Sequence, residues 1–331
     1  MSHTLFSAIV PVYNRPQEVE ELLESLTQQQ FNDFEVIIVE DGSSIPCKQI
    51  VDKFEEKIRV KYYFKENTGP GTSRNYGALR ADGDFFIFFD SDCIVPAEYF
   101  NEVTKALTFA KADAFGGPDR AHPSFTNIQK AINYSMTSVL TSGGIRGGKE
   151  RMDKFYPRSF NMGISREAFE KTGGFASMRF GEDVDLSLRI VSMGFTTRLI
   201  PSAYVYHKRR TDFCKFFRQV YNSGIARINL HVLHPGSLKL VHLLPSAFVV
   251  GMAVIFITAL LLPFTLLIPL IYSLLVFFHS LYLNSKFSVA FLSIGAVWVQ
   301  LFGYGIGFIH AAWKRLIMQK QEFNAFQKNF Y

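Results

Sequence analysis

The sequence predicts an α/β fold, a mostly parallel sheet covered on both faces by helices, followed by helices that cross a membrane. Three observations predict it. Short apolar runs alternate with amphipathic helical patterns through the first half of the chain, polar and acidic residues gather where those runs end, and two stretches lack Asp, Glu, Lys and Arg altogether, Leu240 to Ser285 and Phe287 to Trp313. Strands alternating with helices imply parallel pairing, since each crossover lays its helix on a sheet face. A bilayer core needs roughly 20 apolar residues per helical span, so the first stretch is long enough for two spans and the second for one.

In chain order, Phe6 to Val12 is a buried strand, and Asn14-Arg15-Pro16 starts a helix with Asn as its cap and Pro in the first turn. Val19, Leu22, Leu23 and Leu26 fall on one helical stripe, while Glu18, Glu20, Glu21 and Glu24 fall on the wet side. Val36 to Val39 is the next strand. Ile50 to Phe54 reads as helix, Val60 to Phe64 as strand, Ser73 to Leu79 as helix, Phe85 to Phe89 as strand and Ala97 to Ala110 as helix. Phe85-Phe86-Ile87-Phe88-Phe89 has no polar face, so it belongs in the sheet interior with both sides covered.

A chain of 331 residues with 48% hydrophobic content can hold one α/β domain and a second unit beside it. Cys47, Cys93 and Cys214 lie far apart with no paired spacing, which suits a reducing compartment and argues against a zinc site. Met1 to Tyr13 carries no basic region followed by a long apolar run, so no secretory signal is expected and the catalytic part is expected in the cytoplasm. Net charge is +6, and Lys208, Arg209, Arg210, Lys215, Arg218, Arg227 and Lys239 cluster between the two halves. Beside a membrane segment such a cluster predicts contact with anionic lipid on the cytoplasmic side, not nucleic acid.

In open parallel sheets ligands bind beyond the carboxyl ends of the strands. There the sequence places Tyr13 and Asn14, then Glu40-Asp41-Gly42-Ser43, then Asp90-Ser91-Asp92. Ser43 or Asn14 alone reads as a turn or cap residue, and an isolated Asp-x-Asp reads as a solvated turn. Together at one edge, the carboxylates suit a hard divalent cation, Mn²⁺ or Mg²⁺, bridging to a diphosphate. Asn67 to Asn75 supplies loop glycines before a helix start, suited to an anion, but lacks the lysine of a P-loop.

With Val10-Pro11-Val12-Tyr13-Asn14, Val39-Glu40-Asp41-Gly42-Ser43 and Asp90-Ser91-Asp92 in this order, the chain resembles glycosyltransferase family 2, whose fold is GT-A. The resemblance covers roughly Phe6 to His207. It implies an inverting enzyme that uses a nucleotide-diphosphate sugar, a UDP-sugar above others, with a nucleotide-sugar site at Pro11, Tyr13, Asn14, Asp41, Arg74 and Asp90. Tyr13 would lie against the base and Asp41 would accept a hydrogen bond from it. Arg74 would reach base, ribose or phosphate, Asp90 the ribose, and Asp92 the metal. The family usually has two aspartates where this chain has Glu40-Asp41. Phe180-Gly181-Glu182-Asp183-Val184-Asp185 resembles the family's acidic motif, which makes Asp183 the catalytic base, with Glu182 and Asp185 as competitors. Asn161 to Arg166 and Gly173-Gly174-Phe175 match segments around donor sugar and acceptor, and His207 stands where relatives bind metal or phosphate, so the expected metal set is Asp92, Asp90 and His207. Gly143 to Lys149, rich in glycine and basic residues, reads either as a lid over bound donor or as a plain flexible loop.

The expected organisation is a catalytic domain over 1–210, an interfacial amphipathic helix over 211–239, two to three transmembrane helices over 240–313 and a basic tail over 314–331. Phe213, Phe216, Phe217, Val220 and Tyr221 recur at helical spacing, which fits a helix lying in the membrane interface or one facing a protein core. The first reading favours a lipid-linked saccharide acceptor, and absence of the Gln-x-x-Arg-Trp of processive synthases favours single additions. Gly303 and Gly307 make a Gly-x-x-x-Gly step that could seat a second copy of the chain or a helix of the same chain. Pro245, Pro263 and Pro269 could break the first apolar stretch, leaving the side of the C-terminus open. A non-catalytic nucleotide-sugar-binding assembly or transport partner is the alternative, but such a protein would lose the acidic residues, and Asp41, Asp90, Asp92 and Asp183 are all present.

Overall fold

The structure is a computed structural model that describes residues 5–142, 155–178 and 180–320. In chain order its elements are β1 (Phe6–Val12), α1 (Pro16–Thr27), β2 (Phe34–Asp41), α2 (Lys48–Asp52), β3 (Val60–Lys65), α3 (Pro70–Ala78), β4 (Phe85–Phe89), β5 (Cys93–Ile94), α4 (Tyr99–Phe109), β6 (Ala114–Gly116), β7 (Asp119–Arg120), α5 (Asn127–Thr137), α6 (Val139–Ser142), β8 (Asn161–Ser165), α7 (Arg166–Thr172), α8 (Glu182–Ser192), β9 (Thr197–Leu199), β10 (Val205–His207), α9 (Phe213–Leu233), α10 (Leu244–Thr258), α11 (Leu267–Asn284) and α12 (Phe287–Ala312). They divide into two compact units: the described residues within 1–120 and 148–207, and those within 121–147 and 208–323.

The first unit is a seven-stranded sheet in the order β3-β2-β1-β4-β8-β6-β9, with helices on both faces. β3, β2, β1 and β4 run parallel, and β8 runs antiparallel to both β4 and β6. Side chains alternate between the faces because the pleat has a period of two. Ala8, Val10, Phe85, Ile87 and Phe89 pack with Val19, Leu22, Leu23 and Leu26 of α1 and with Phe100 and Val103 of α4. Ile9, Phe86 and Phe88 face the other way, onto Ala168, Phe169, Leu186 and Ile190 of α7 and α8. Each fully buried Leu, Ile or Phe contributes about 1.5–3 kcal/mol. All five residues of β4 are buried, as a strand with no polar face requires. Gly77 lets α3 cross the sheet closely, since a Cβ there would lie 2.6 Å from Ile9 Cγ2.

Asn14 departs from its expected task. The residue capping α1 is Arg15, and Asn14 instead turns the chain with a φ of 52°. Its Oδ1 accepts hydrogen bonds from Ile45 N at 3.0 Å and Ser44 Oγ at 3.1 Å, while Ser43 Oγ accepts one from Asn14 N at 2.7 Å. It ties the end of β1 to the loop after β2.

The second unit is helical. A single division at residue 210 is not how the contacts fall, because the described residues 121–142 join this unit: Ala131, Ile132 and Met136 of α5 bury themselves with Phe216, Val220, Val289 and Ala296 of α9 and α12. Nor is Arg209 a lipid contact: it is buried, and its guanidinium donates to Asn133 Oδ1 at 3.1 and 3.3 Å. α9 packs along α12, so the stripe of Phe216 and Val220 covers a protein face. The glycine step of α12 is occupied by the same chain: a Cβ on Gly307 would lie 2.1 Å from Tyr221 O, and one on Gly224 would lie 2.3 Å from Tyr304 O. The structure therefore gives Gly303 and Gly307 an intramolecular partner, and self-association draws no support from them.

The first apolar stretch yields one span-length helix where two were expected. Leu262, preceding Pro263, is pushed out of the helical region to φ −128° and ψ 78°. That leaves α10 with 15 residues, about 22 Å at the helical rise and short of a bilayer core. Pro263–Asn284 and Phe287–Ile317 are long and apolar enough to cross a membrane. A cavity of about 450 Å³ in this unit is lined by apolar side chains, among them Leu140, Phe248, Met252 and Leu301.

Candidate functional site

Parallel pairing brings the carboxyl ends of β1, β2 and β4 to one edge of the first unit, and the site is assembled there. Asp90 and Asp92 follow β4 directly. The small sheet β5-β10-β7 then delivers the third member, since His207 pairs with Cys93 across the β10–β5 ladder. His207 Nε2 lies 3.1 Å from Asp92 Oδ1 and 3.7 Å from Asp90 Oδ2, and the ring stacks on Phe160. The expected metal set is thus brought together. Two carboxylates and an imidazole are a donor set that fits Mn²⁺ or Mg²⁺. Cys93 Sγ also lies within 4.8 Å of ligand atoms of Asp92 and His207, and burial, followed by the charges of Asp92 and Asp90, pushes its thiol well up.

Sequence reading missed Arg15. It stands one residue beyond the strand-end Asn14, and its Nη1 donates to Asp92 Oδ2 at 2.8 Å. Asp92 is therefore gripped from one side by Arg15 and faces His207 on the other.

Arg74, in the second turn of α3, lies beneath the site with its side chain 4% exposed. Nη2 donates to Asp90 Oδ1 at 2.7 Å and Nη1 to Glu182 Oε1 at 3.1 Å, while Phe175 lies against the guanidinium. One arginine thus joins the strand-end acids to the acidic motif. A buried charge of this kind is held in place by its paired carboxylates.

The acidic motif opens α8, where Gly181 takes a left-handed φ of 87° and Glu182, Asp183 and Asp185 occupy the first turn. Carboxylates are favoured at this positive end of the helix dipole. Their tasks differ. Asp185 is locked by Arg189 at 2.6 and 2.9 Å, and the same arginine also holds the carbonyls of Thr172 and Gly174. Burial, reinforced by the neighbouring Asp183, pushes Glu182 up against the pull of Arg74. Burial also acts to raise Asp183, but Arg158 and Arg74 outweigh it and hold Asp183 below the usual carboxylate range. Arg158 Nε reaches Asp183 Oδ2 at 2.6 Å. Nothing in the sequence marked Arg158.

Of the remaining expected residues, Tyr13 stands at the end of β1, partly buried, and Pro11 is buried inside that strand. Asp41 is fully buried and holds a loop: its carboxylate accepts from Lys65 Nζ, from Thr68 N at 2.9 Å and from Gly69 N at 2.9 Å. Glu40, whose task was open, binds Ser43 Oγ, Cys47 N at 2.8 Å and Tyr62 OH at 3.3 Å, which makes it a structural anchor. Asn161 to Arg166 forms β8 and the start of α7, and Asn161 is consumed by Tyr99 and by Ala203 O. The glycine-rich stretch Gly143 to Lys149 lies outside the described residues.

Comparison with known proteins places these observations in a family. The profile of glycosyl transferase family 2 matches residues 7–173. An uncharacterized glycosyltransferase of Haemophilus influenzae is 45% identical over 221 residues, covering 63% of this chain and 70% of the relative. The poly(ribitol-phosphate) beta-N-acetylglucosaminyltransferase TarS of Staphylococcus aureus is 41% identical over 103 residues, 30% of this chain. The chain spans only 17% of that protein and 23% of a glycosyltransferase from Rickettsia conorii. Among solved structures, the mannosyltransferase PcManGT from Pyrobaculum calidifontis, in complex with GDP-Man and Mn²⁺, superimposes with a TM-score of 0.65 over 91% of this chain and 88% of its own, at 17% identity. That likeness establishes the α/β GT-A fold.

Proposed function

The chain belongs to glycosyl transferase family 2, and we propose that it transfers a sugar, with inversion, from a nucleotide-diphosphate sugar to a lipid-linked or otherwise membrane-held saccharide in cell-surface polysaccharide or glycolipid synthesis. The observation that carries this reading is Arg74. Its two amino groups bridge Asp90, beside the Asp92 and His207 ligand set, to Glu182, beside Asp183.

In this reading Tyr13 lies against the nucleotide base, and Asp41 acts from behind by holding residues 65–69 in shape beneath the donor. Asp90, Asp92 and His207 would hold a divalent ion, which would supply positive charge to offset that of the diphosphate leaving group. Asp183 takes the proton of the acceptor hydroxyl as its oxygen bonds to the anomeric carbon and the bond to the nucleoside diphosphate breaks on the opposite face. A base must be ionised before it acts, and Arg158 keeps Asp183 so, whereas Glu182 is spent on Arg74. The two span-length helices, whose Ile268, Ile271, Leu275, Phe278 and Phe291 are exposed, support anchoring of the chain in a membrane; in this reading it is the cell membrane, with the catalytic unit on its cytoplasmic face.

The test uses the purified, detergent-solubilised protein. Heating it with a panel of UDP- and GDP-sugars, with and without Mn²⁺, should give a metal-dependent rise in midpoint for the true donor. Asp92→Ala should abolish metal-dependent nucleotide release, and Asp183→Asn should keep the midpoint rise while losing transfer. Normal transfer by Asp183→Asn would overturn the assignment of the base, and extraction of the protein from membranes by alkaline carbonate would overturn the anchor.

A further inference from the structure

We propose that Arg158 is the positioning residue of the acceptor-side base, clamping the Asp183 carboxylate in one rotamer from the segment just before β8. The inference rests on the reading of Asp183 as proton acceptor, and goes beyond it by naming what prepares that carboxylate.

Two links one helical turn apart carry it. Asp183 and Ser187 stand at i and i+4, hence on one face of α8. Asp183 Oδ2 accepts from Arg158 Nε at 2.6 Å, and Ser187 Oγ donates to Pro157 O at 2.6 Å. Residues 157 and 158 are thus attached to the helix at neighbouring points, the backbone through Pro157 O and the side chain through the Arg158 guanidinium, which sets the arginine's Cα beside the carboxylate it meets. The other carboxylate oxygen, Oδ1, accepts from Val184 N at 2.8 Å, so both oxygens of Asp183 have a fixed direction. The charged groups that act on the pair come from several elements: Arg74 of α3, Glu182 beside Asp183 on α8, and Asp119 of β7 near Arg158. Arg74 already serves Asp90 and Glu182. Arg158 is the cation in direct contact with Asp183.

The sign of the effect follows. A carboxylate paired with a cation ionises at lower pH than one without it. Removing the cation should therefore move the acidic limb of the turnover profile to higher pH. The experiment compares wild type, Arg158→Gln and Arg158→Lys by two readouts. One is turnover against pH with the donor that the heating screen selects. The other needs no substrate: carbon-13 NMR of aspartate carboxyls, with Asp183 assigned by the signal that disappears in Asp183→Asn. In Arg158→Gln the Asp183 signal should titrate about one pH unit higher or more. Turnover at neutral pH should fall at least about tenfold, and the midpoint rise given by UDP with Mn²⁺ should be unchanged. Arg158→Lys should lie between. An Asp183 titration unmoved in Arg158→Gln overturns the proposal even if turnover falls. Normal transfer by Asp183→Asn overturns the base reading instead, whatever the NMR gives.

Discussion

Arg15 and His207 approach Asp92 from opposite sides, and this sets how the ligand set is held before any ion arrives. Arg15 Nη1 contacts Oδ2 at 2.8 Å while His207 Nε2 contacts Oδ1 at 3.1 Å. A cation entering between Asp92 and His207 competes with the guanidinium for the same carboxylate charge. Arg15→Gln should therefore bind Mn²⁺ more tightly in the absence of donor, by up to about fivefold for the loss of one partly exposed pair worth up to about 1 kcal/mol, as read by calorimetry with Mn²⁺ alone; unchanged or weaker binding would contradict it. Another buried acid makes a pH prediction. Glu35 has no exposed side-chain surface and binds Lys61 Nζ at 2.8 Å, Ser7 Oγ at 2.7 Å and Asp82 N at 2.6 Å. Burial acts to raise it, but these partners together bring it below its ordinary 4.5. A carboxylate depressed in the folded state contributes stability that is complete above its unfolded value and fades as pH falls through the folded one. Glu35→Gln should thus flatten the decline of thermal midpoint below about pH 4.5, and an equally steep decline would refute the assignment. At this scale the strand-end acids were legible, because an apolar run followed by Asp-x-Asp announces itself. Arg15 and Arg158 were not, since a single arginine gains meaning only from a partner 77 or 25 residues away.

At the scale of elements, the alternation of apolar runs located β1 to β4 and the helices between them, with ends displaced by a few residues where turns decide them. β8 and the small sheet were invisible, because β5, β7 and β10 hold two or three residues each and are defined by their pairing. The contact of α9 with α12 was half legible: the Gly-x-x-x-Gly step announced a close helix neighbour but could not say which. The structure makes that contact testable. Gly307→Leu would drive a side chain into Tyr221 O, which a Cβ alone would approach to 2.1 Å. It should lower the thermal midpoint of the solubilised protein by several degrees, as expected for overpacking that costs about 1–3 kcal/mol. Gly251→Ala is the control. A Cβ at Gly251 of α10 meets nothing within 4 Å, so this substitution should leave the midpoint unchanged or raise it slightly through reduced chain entropy. Equal losses in the two variants would show that the α9–α12 contact does not matter.

For the molecule as a whole, the informative feature is that each unit is discontinuous in sequence. After β7 the described residues 121–142 leave the sheet-bearing unit and contribute α5 to the helical unit, and the chain later forms β8 of the sheet. α5 begins with a capping box, Thr126 with Gln129, so its start is fixed locally. Its buried face is not satisfied locally: Ala131, Ile132 and Met136 need Phe216, Val220, Val289 and Ala296, all of which follow residue 210. A chain stopped at 210 would keep every residue of the proposed site but expose that apolar face, and an exposed patch of this kind promotes association. Replacing 121–147 in the same truncated chain by a Gly/Ser linker of equal length should remove the liability. The first variant should therefore sediment as aggregate, and the second should remain monomeric on size exclusion and still gain thermal midpoint with Mn²⁺ and the selected nucleotide sugar. If both variants aggregate alike, then the α5 face is not the source of the association, and the sheet-bearing unit needs more than its own residues to fold. If both stay monomeric, the α5 face is not the apolar surface that the contacts with α9 and α12 make it.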